Sequence, residues 1–301
     1  MNGGAGHTGA ETGTIRSTTE APVTAIAAAA GTGGVTRARR WAWLPTLVVG
    51  IALFELVRHA LIDTENPNLV PTLILIGAAV VPATFVAFLA GRRFAHDIPG
   101  WLLAVTALVG GVIGVVLAGI WEYHTLITLG TTSMAAVGLA EETAKLIFPA
   151  LVLPFVKHRR PANGLLLGVA SGAGFAALET MGYAFVTLIQ SGGSLAAVDG
   201  LLLLRGLLSP AGHMAWTGVT AAALWYAAAR RWQAAAVLRF VAAFLVAVGL
   251  HAAWDSSGST PGFVTVAVIS FGLLVLTTIR ISREDRATVA ARRPAGPSVD
   301  R

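Results

Sequence analysis

The chain has 301 residues, of which only 12% are charged and 55% are hydrophobic. A soluble domain carries about 25% charged residues, so a 31.0 kDa globule with a mean hydropathy of +0.73 could not cover its surface with so few ions. The composition excludes a soluble fold, and the absence of cysteine excludes disulfides, thiolate metal sites and cysteine nucleophiles.

Residues 1–36, rich in Gly, Thr and Ala, are expected to form a disordered tail. Within them Thr24–Ala30 is too short and too weakly apolar for a signal sequence, and no basic segment precedes it. Eight apolar runs follow, near the roughly 20 helical residues that cross a bilayer except for the fourth, whose greater length implies a tilted, kinked or shorter span. They are Trp41–Ile62, Leu69–Ala90, Gly100–Trp121, Leu126–Val156, Gly164–Ile189, Ala211–Ala229, Ala234–Trp254 and Gly262–Ile279. Leu201–Leu208 is apolar but too short to span, and reads as an interfacial or re-entrant helix. The expected fold is all-α: a polytopic transmembrane helical bundle of about eight spans over residues 37–281, with a polar C-terminal tail over 282–301.

The charges between the runs alternate. Arg37/Arg39/Arg40, Arg92/Arg93, Lys157/Arg159/Arg160, Arg230/Arg231 and the group from Arg280 to Arg293 occupy every second gap. Asp63 and Glu65, Glu122, Asp199 and Asp255 occupy the others. Short-loop Lys and Arg mark the cytoplasmic side, so the pattern predicts a multi-pass protein of the cell membrane with both termini cytoplasmic. The net charge of +6 is accounted for by these clusters. No basic face for nucleic acid appears. Gly110/Gly114, Gly164/Gly168 and Gly168/Gly172 are small-xxx-small pairs, which signal close helix packing and nothing more specific.

A charged side chain at the bilayer centre costs about 2.5–3.5 kcal/mol even on the mildest scale, so each one inside a run needs a reason. Glu141, Glu142 and Lys145 interrupt the fourth run in AEETAKLIFPA. Glu179 lies in the fifth, His213 opens the sixth, and His251 and Asp255 close the seventh. Lys145 is i+3 from Glu142 and i+4 from Glu141, and Asp255 is i+4 from His251, so each set shares a helix face. Under the alternating topology these groups lie from mid-membrane toward the extracytoplasmic side, at depths compatible with one polar cavity. Neither GxSxG nor HExxH occurs. Carboxylate with imidazole remains, a set suited to activating water, binding a metal, or both. A proton-coupled transporter could use the same inventory as a relay, and a non-catalytic scaffold could retain it for packing.

Four motifs in order carry a resemblance: EETAK at Glu141–Lys145, FAALE at Phe175–Glu179, RGLLSPAGHMAWTG bearing His213, and HAAWD at His251–Asp255. Over roughly Ser133 to Asp255 the chain resembles the PrsW family of intramembrane proteases, itself distantly similar to the CAAX-processing and bacteriocin-processing membrane endopeptidases. The resemblance implies an endopeptidase acting on a membrane-spanning or membrane-anchored protein at or near the extracytoplasmic side, glutamate-dependent or metal-dependent. Glu141 or Glu142 would polarise the attacking water. Glu142 is preferred, because Glu141 is the i+4 spacing partner of Lys145. Glu179, His213 and His251 would hold that water or a divalent metal such as zinc and stabilise the oxyanion, with Lys145 and Phe175 in support. Asp255 stands where relatives often carry Asn; an ionised Asp cannot donate to an oxyanion, so it suits orienting His251 or contacting the metal.

Overall fold

The computed structural model describes residues 37–291 apart from Arg93 and Thr132; the expected N-terminal tail lies outside them. A short helix, Arg37–Trp41, leads into nine longer ones. These are α1 (Trp43–Thr64), α2 (Val70–Ala90), α3 (Gly100–Leu129), α4 (Met134–Val152), α5 (Pro161–Gln190), α6 (Leu195–Leu208), α7 (His213–Ala229), α8 (Ala234–Asp255) and α9 (Thr260–Ala291). No strand occurs among the described residues. The protein is a polytopic all-helical bundle.

Local chemistry sets the boundaries. Gly130 takes φ +69° and ends α3, and the Ser133 hydroxyl then accepts from Ala136 N–H to start α4. The third run therefore extends past Trp121 to Leu129, and the fourth begins at Met134 rather than Leu126. Glu122, expected in a loop, lies inside α3. Leu201–Leu208 is the second half of α6, a helix capped by Ser194 and packed against α2 and α5. The last helix continues to Ala291, so the first part of the segment 282–301 prolongs the final span. There Asp285 accepts a hydrogen bond at 2.7 Å from the Ala95 N–H, in the segment joining α2 to α3.

Among the described residues, seven helical segments, one of them joining α6 to α7, are long and apolar enough to cross a membrane. The remaining one of comparable length is α4, whose 19 residues extend about 28 Å at 1.5 Å per residue. It differs from the others in carrying three charged residues, Glu141, Glu142 and Lys145. Those three are enclosed by protein: α4 packs on α3, α5, α7 and α8. With α4 the bundle has about eight spans.

Helix α5 is the centre of the bundle, most of its span being buried, whereas almost none of α1 is buried, as expected for a lipid-facing helix. Gly164, Gly168 and Gly172 lie one turn apart along it. A Cβ at these positions would collide with the carbonyl oxygens of Ala221, Thr217 and His213 respectively. The backbone of α7 thus rests directly on the backbone of α5, with His213 seated against Gly172.

Candidate active site

Helix α4 brings three ionisable groups to one buried face. Lys145 Nζ lies 2.7 Å from Glu142 Oε1 and 3.2 Å from Glu141 Oε2, and stands 4.2 Å from the centre of the Phe175 ring. Its ammonium is fully enclosed, a position tolerable only because both neighbours carry the opposite charge. The backbone of Lys145 has a second tie. Pro149, four residues on, has no N–H to bond the Lys145 carbonyl, and the Ser171 hydroxyl of α5 donates to that carbonyl instead, at 2.7 Å. Inside a membrane no water would otherwise satisfy it.

Helix α8 meets α4 at Gly138, where a Cβ would crowd the Val248 carbonyl and the His251 side chain. This contact places His251 Nδ1 2.9 Å from Glu142 Oε1, and His251 Nε2 3.4 Å from Glu141 Oε2 and 3.3 Å from Asp255 Oδ2. The Trp216 indole of α7 stacks on the His251 ring, with centroids 4.7 Å apart and planes 23° apart. Its Nε1–H donates to Ser270 Oγ of α9 at 2.8 Å, which fixes the stacking surface.

His213 sits between the two glutamate-bearing helices. Its Nδ1 is 2.8 Å from Lys145 Nζ. An ammonium can only donate, so Nδ1 accepts and the proton resides on Nε2, which donates to Glu179 Oε2 at 2.9 Å. The same oxygen takes a bond at 2.7 Å from Arg205 Nη2 of α6. Arg205 also donates through Nε to Thr180 Oγ1 at 3.1 Å and lies over the Tyr183 ring, 4.2 Å from its centre. Glu122 of α3 is a further carboxylate within electrostatic range of Glu141, Glu179 and Asp255.

Glu141, Glu142, Lys145, Phe175, Glu179, His213, His251 and Asp255 thus form one continuous cluster drawn from four helices. Arg205, Thr180 and Trp216 belong to it as well and were not among the expected residues. A lone Arg in an apolar segment on the acidic side of the bundle was the available signal for Arg205, since such a charge needs a carboxylate partner. Both glutamates of the EE pair contact Lys145, so its spacing does not separate them. Exposure does: Glu142 is 0% exposed and Glu141 8%.

The arrangement fits a metal ion. Glu141, His213 and His251 each offer one donor atom, and the three lie within 4.8 Å of one another. His251 Nε2 lies 3.4 Å from Glu141 Oε2, the edge of about 3.4 Å that tetrahedral ligation with bonds of about 2.1 Å gives, while His213 Nδ1, which accepts from Lys145, lies 4.0 Å from it. This set takes Glu141 where Glu179 was expected. Glu142 Oε2, buried with no partner among the described residues, leaves an unbalanced carboxylate oxygen in the same cluster.

A membrane-embedded bundle whose four central helices converge carboxylates and imidazoles on one buried point has the layout of an intramembrane hydrolase. Residues 98–279 match the family described as PrsW family intramembrane metalloprotease, which is more than half of the chain. The protein belongs to that family and is an intramembrane protease. No curated protein and no solved structure gives a significant match to it.

Proposed function

We propose that the protein hydrolyses a peptide bond of a membrane-spanning or membrane-anchored substrate, at or near the extracytoplasmic side, with Glu141 as the carboxylate that activates water. The observation carrying this reading is the difference between the paired glutamates. Glu142 is fully enclosed and engaged by Lys145 and His251, whereas Glu141, also buried but 8% exposed, faces His213 and His251 together.

In this scheme Glu141 takes a proton from the water whose oxygen attacks the scissile carbonyl carbon, then returns it to the amide nitrogen as the C–N bond breaks. The products are a carboxylate and an amine. Lys145 holds the two adjacent carboxylates side by side, Glu142 and Asp255 orient His251 from its two nitrogens, and Glu179 orients His213. A divalent ion such as zinc, held by His213 and His251 with Glu141 beside it as the base, would supply Lewis acidity and a water acidic enough to ionise near neutral pH. The alternation of Arg-rich and acidic segments supports cytoplasmic termini, with the Asp255 end of α8 on the opposite side.

The test is cleavage of a single-span substrate co-reconstituted with the full-length protein, beside thermal unfolding of each variant in the same detergent. Glu141→Gln should lower the rate by about 10²–10⁴-fold, the usual worth of a general base, with little change in midpoint. Full activity in Glu141→Gln would reject the assignment. Metal analysis of the purified protein, repeated on His251→Ala, should find a divalent ion in the first and little in the second.

A further inference from the structure

Away from the polar cluster, a cavity of about 310 Å³ lies between α1, α2 and α6, within the range of small-molecule sites. Most of its wall is apolar, including Phe54 and Leu202, and one end is polar, formed by Glu55, Arg58 and Asp199. Arg58 Nε donates to Glu55 Oε2 at 3.0 Å, and its guanidinium also attracts the Asp199 carboxylate. Asp199 Oδ1 is enclosed, yet it has no hydrogen-bond partner among the described residues. A shielded carboxylate oxygen beside hydrocarbon calls for a donor.

The surroundings indicate where that donor comes from. Ile51 and Leu203 line the cavity and are large exposed apolar side chains, so the opening faces the bilayer. The occupant must therefore combine an apolar body with one hydrogen-bonding cation for Asp199 and one anion for Arg58. We propose that this cavity binds a membrane phospholipid with a primary-ammonium headgroup: the ammonium bonds Asp199 Oδ1, the phosphate bonds Arg58, and an acyl chain lies along Phe54 and Leu202. A choline headgroup keeps the positive charge but has no N–H to give, and a glycerol headgroup brings no cation. The site is separate from the proteolytic cluster, although Asp199 lies on the helix that carries Arg205.

The experiment compares three lipids of identical acyl chains, phosphatidylethanolamine, phosphatidylcholine and phosphatidylglycerol, each added to the full-length protein in detergent and followed by native mass spectrometry. Phosphatidylethanolamine should bind at least tenfold more tightly than either of the others. Asp199→Asn should reduce it to the level of phosphatidylcholine, and Arg58→Gln should weaken all three. Equal binding of the three lipids, a preference for phosphatidylglycerol, or an ethanolamine preference that survives Asp199→Asn would overturn the proposal. The ranking on the unmodified protein decides the matter even if a variant does not fold.

Discussion

Arg205 and His213 donate to the same atom, Oε2 of Glu179, from 2.7 Å and 2.9 Å. The guanidinium comes from α6 and the imidazole from the first residue of α7, so Glu179 links the segment expected to be interfacial or re-entrant to the centre of the bundle. Since the Arg205 bonds to Glu179 and Thr180 are directional, Arg205 acts as a positioning residue in the proposed mechanism. Arg205→Gln should lower kcat by about 10–100-fold, the usual cost of losing a partner that orients a ligating or catalytic group, with KM little changed. Arg205→Lys, able to reach Glu179 but not to fork onto Thr180 as well, should recover part of the loss. A merely structural role would lower the thermal midpoint and leave the rate per folded molecule unchanged.

Lys145 provides a test of charge balance. Lys145→Met leaves Glu142 buried beside Glu141 without its nearest cation, and breaking a buried pair in this way costs about 3–5 kcal/mol. Thermal unfolding in detergent should show a large fall in midpoint. Lys145→Met combined with Glu142→Gln removes both charges and should regain most of that stability. Cleavage should not return, because the double variant has also lost the Lys145 contacts to Glu141 and His213.

The tie between Ser171 and the Lys145 carbonyl exists because Pro149 supplies no N–H. Ser171→Ala strands that carbonyl and should cost about 1–3 kcal/mol. In a Pro149→Ala background the helix can bond the carbonyl itself, and the same Ser171→Ala change should be close to neutral. A double-mutant cycle read by denaturation gives the coupling directly; additive effects would contradict the compensation.

Outside the spans, His96 predicts a pH response. Burial, and then the Arg39 guanidinium whose Nη2 lies 2.7 Å from its Nε2, hold His96 below its ordinary value of 6.5, against the raising effects of the Ala90 carbonyl and Asp97. A lowered folded-state value means that the unfolded chain takes up the proton first. The contribution to stability is therefore complete above pH 6.5 and is lost as the pH falls below it toward the folded value. The thermal midpoint of the native protein should drop more between pH 7.5 and 5.5 than that of His96→Gln. Equal drops would remove His96 as the source.

Much of this architecture was legible in residue order. Runs of apolar residues divided by Arg clusters located the helices, and the intramembrane acids and imidazoles stood out because each is costly in hydrocarbon. The break at Gly130 and Ser133 was hidden inside a continuous apolar stretch, although a glycine followed by a capping residue is its physical signature. Arg205 opens the motif that bears His213 but was given no role, because its helix was read as too short to span and the partner that explains it is 26 residues away. Nor could spacing rank Glu141 against Glu142. Both reach Lys145, and only the packing of α8 over Gly138 encloses one more fully than the other.

The glycine stripe of α5 has one more consequence. Side-chain packing loosens gradually on warming, as rotamers begin to exchange, but two backbones in contact have no rotamers to exchange. The spacing between Glu179 and His213 depends on α7 lying against Gly164, Gly168 and Gly172. It should therefore hold until the helices separate, so that catalytic competence persists up to the unfolding transition and disappears with it.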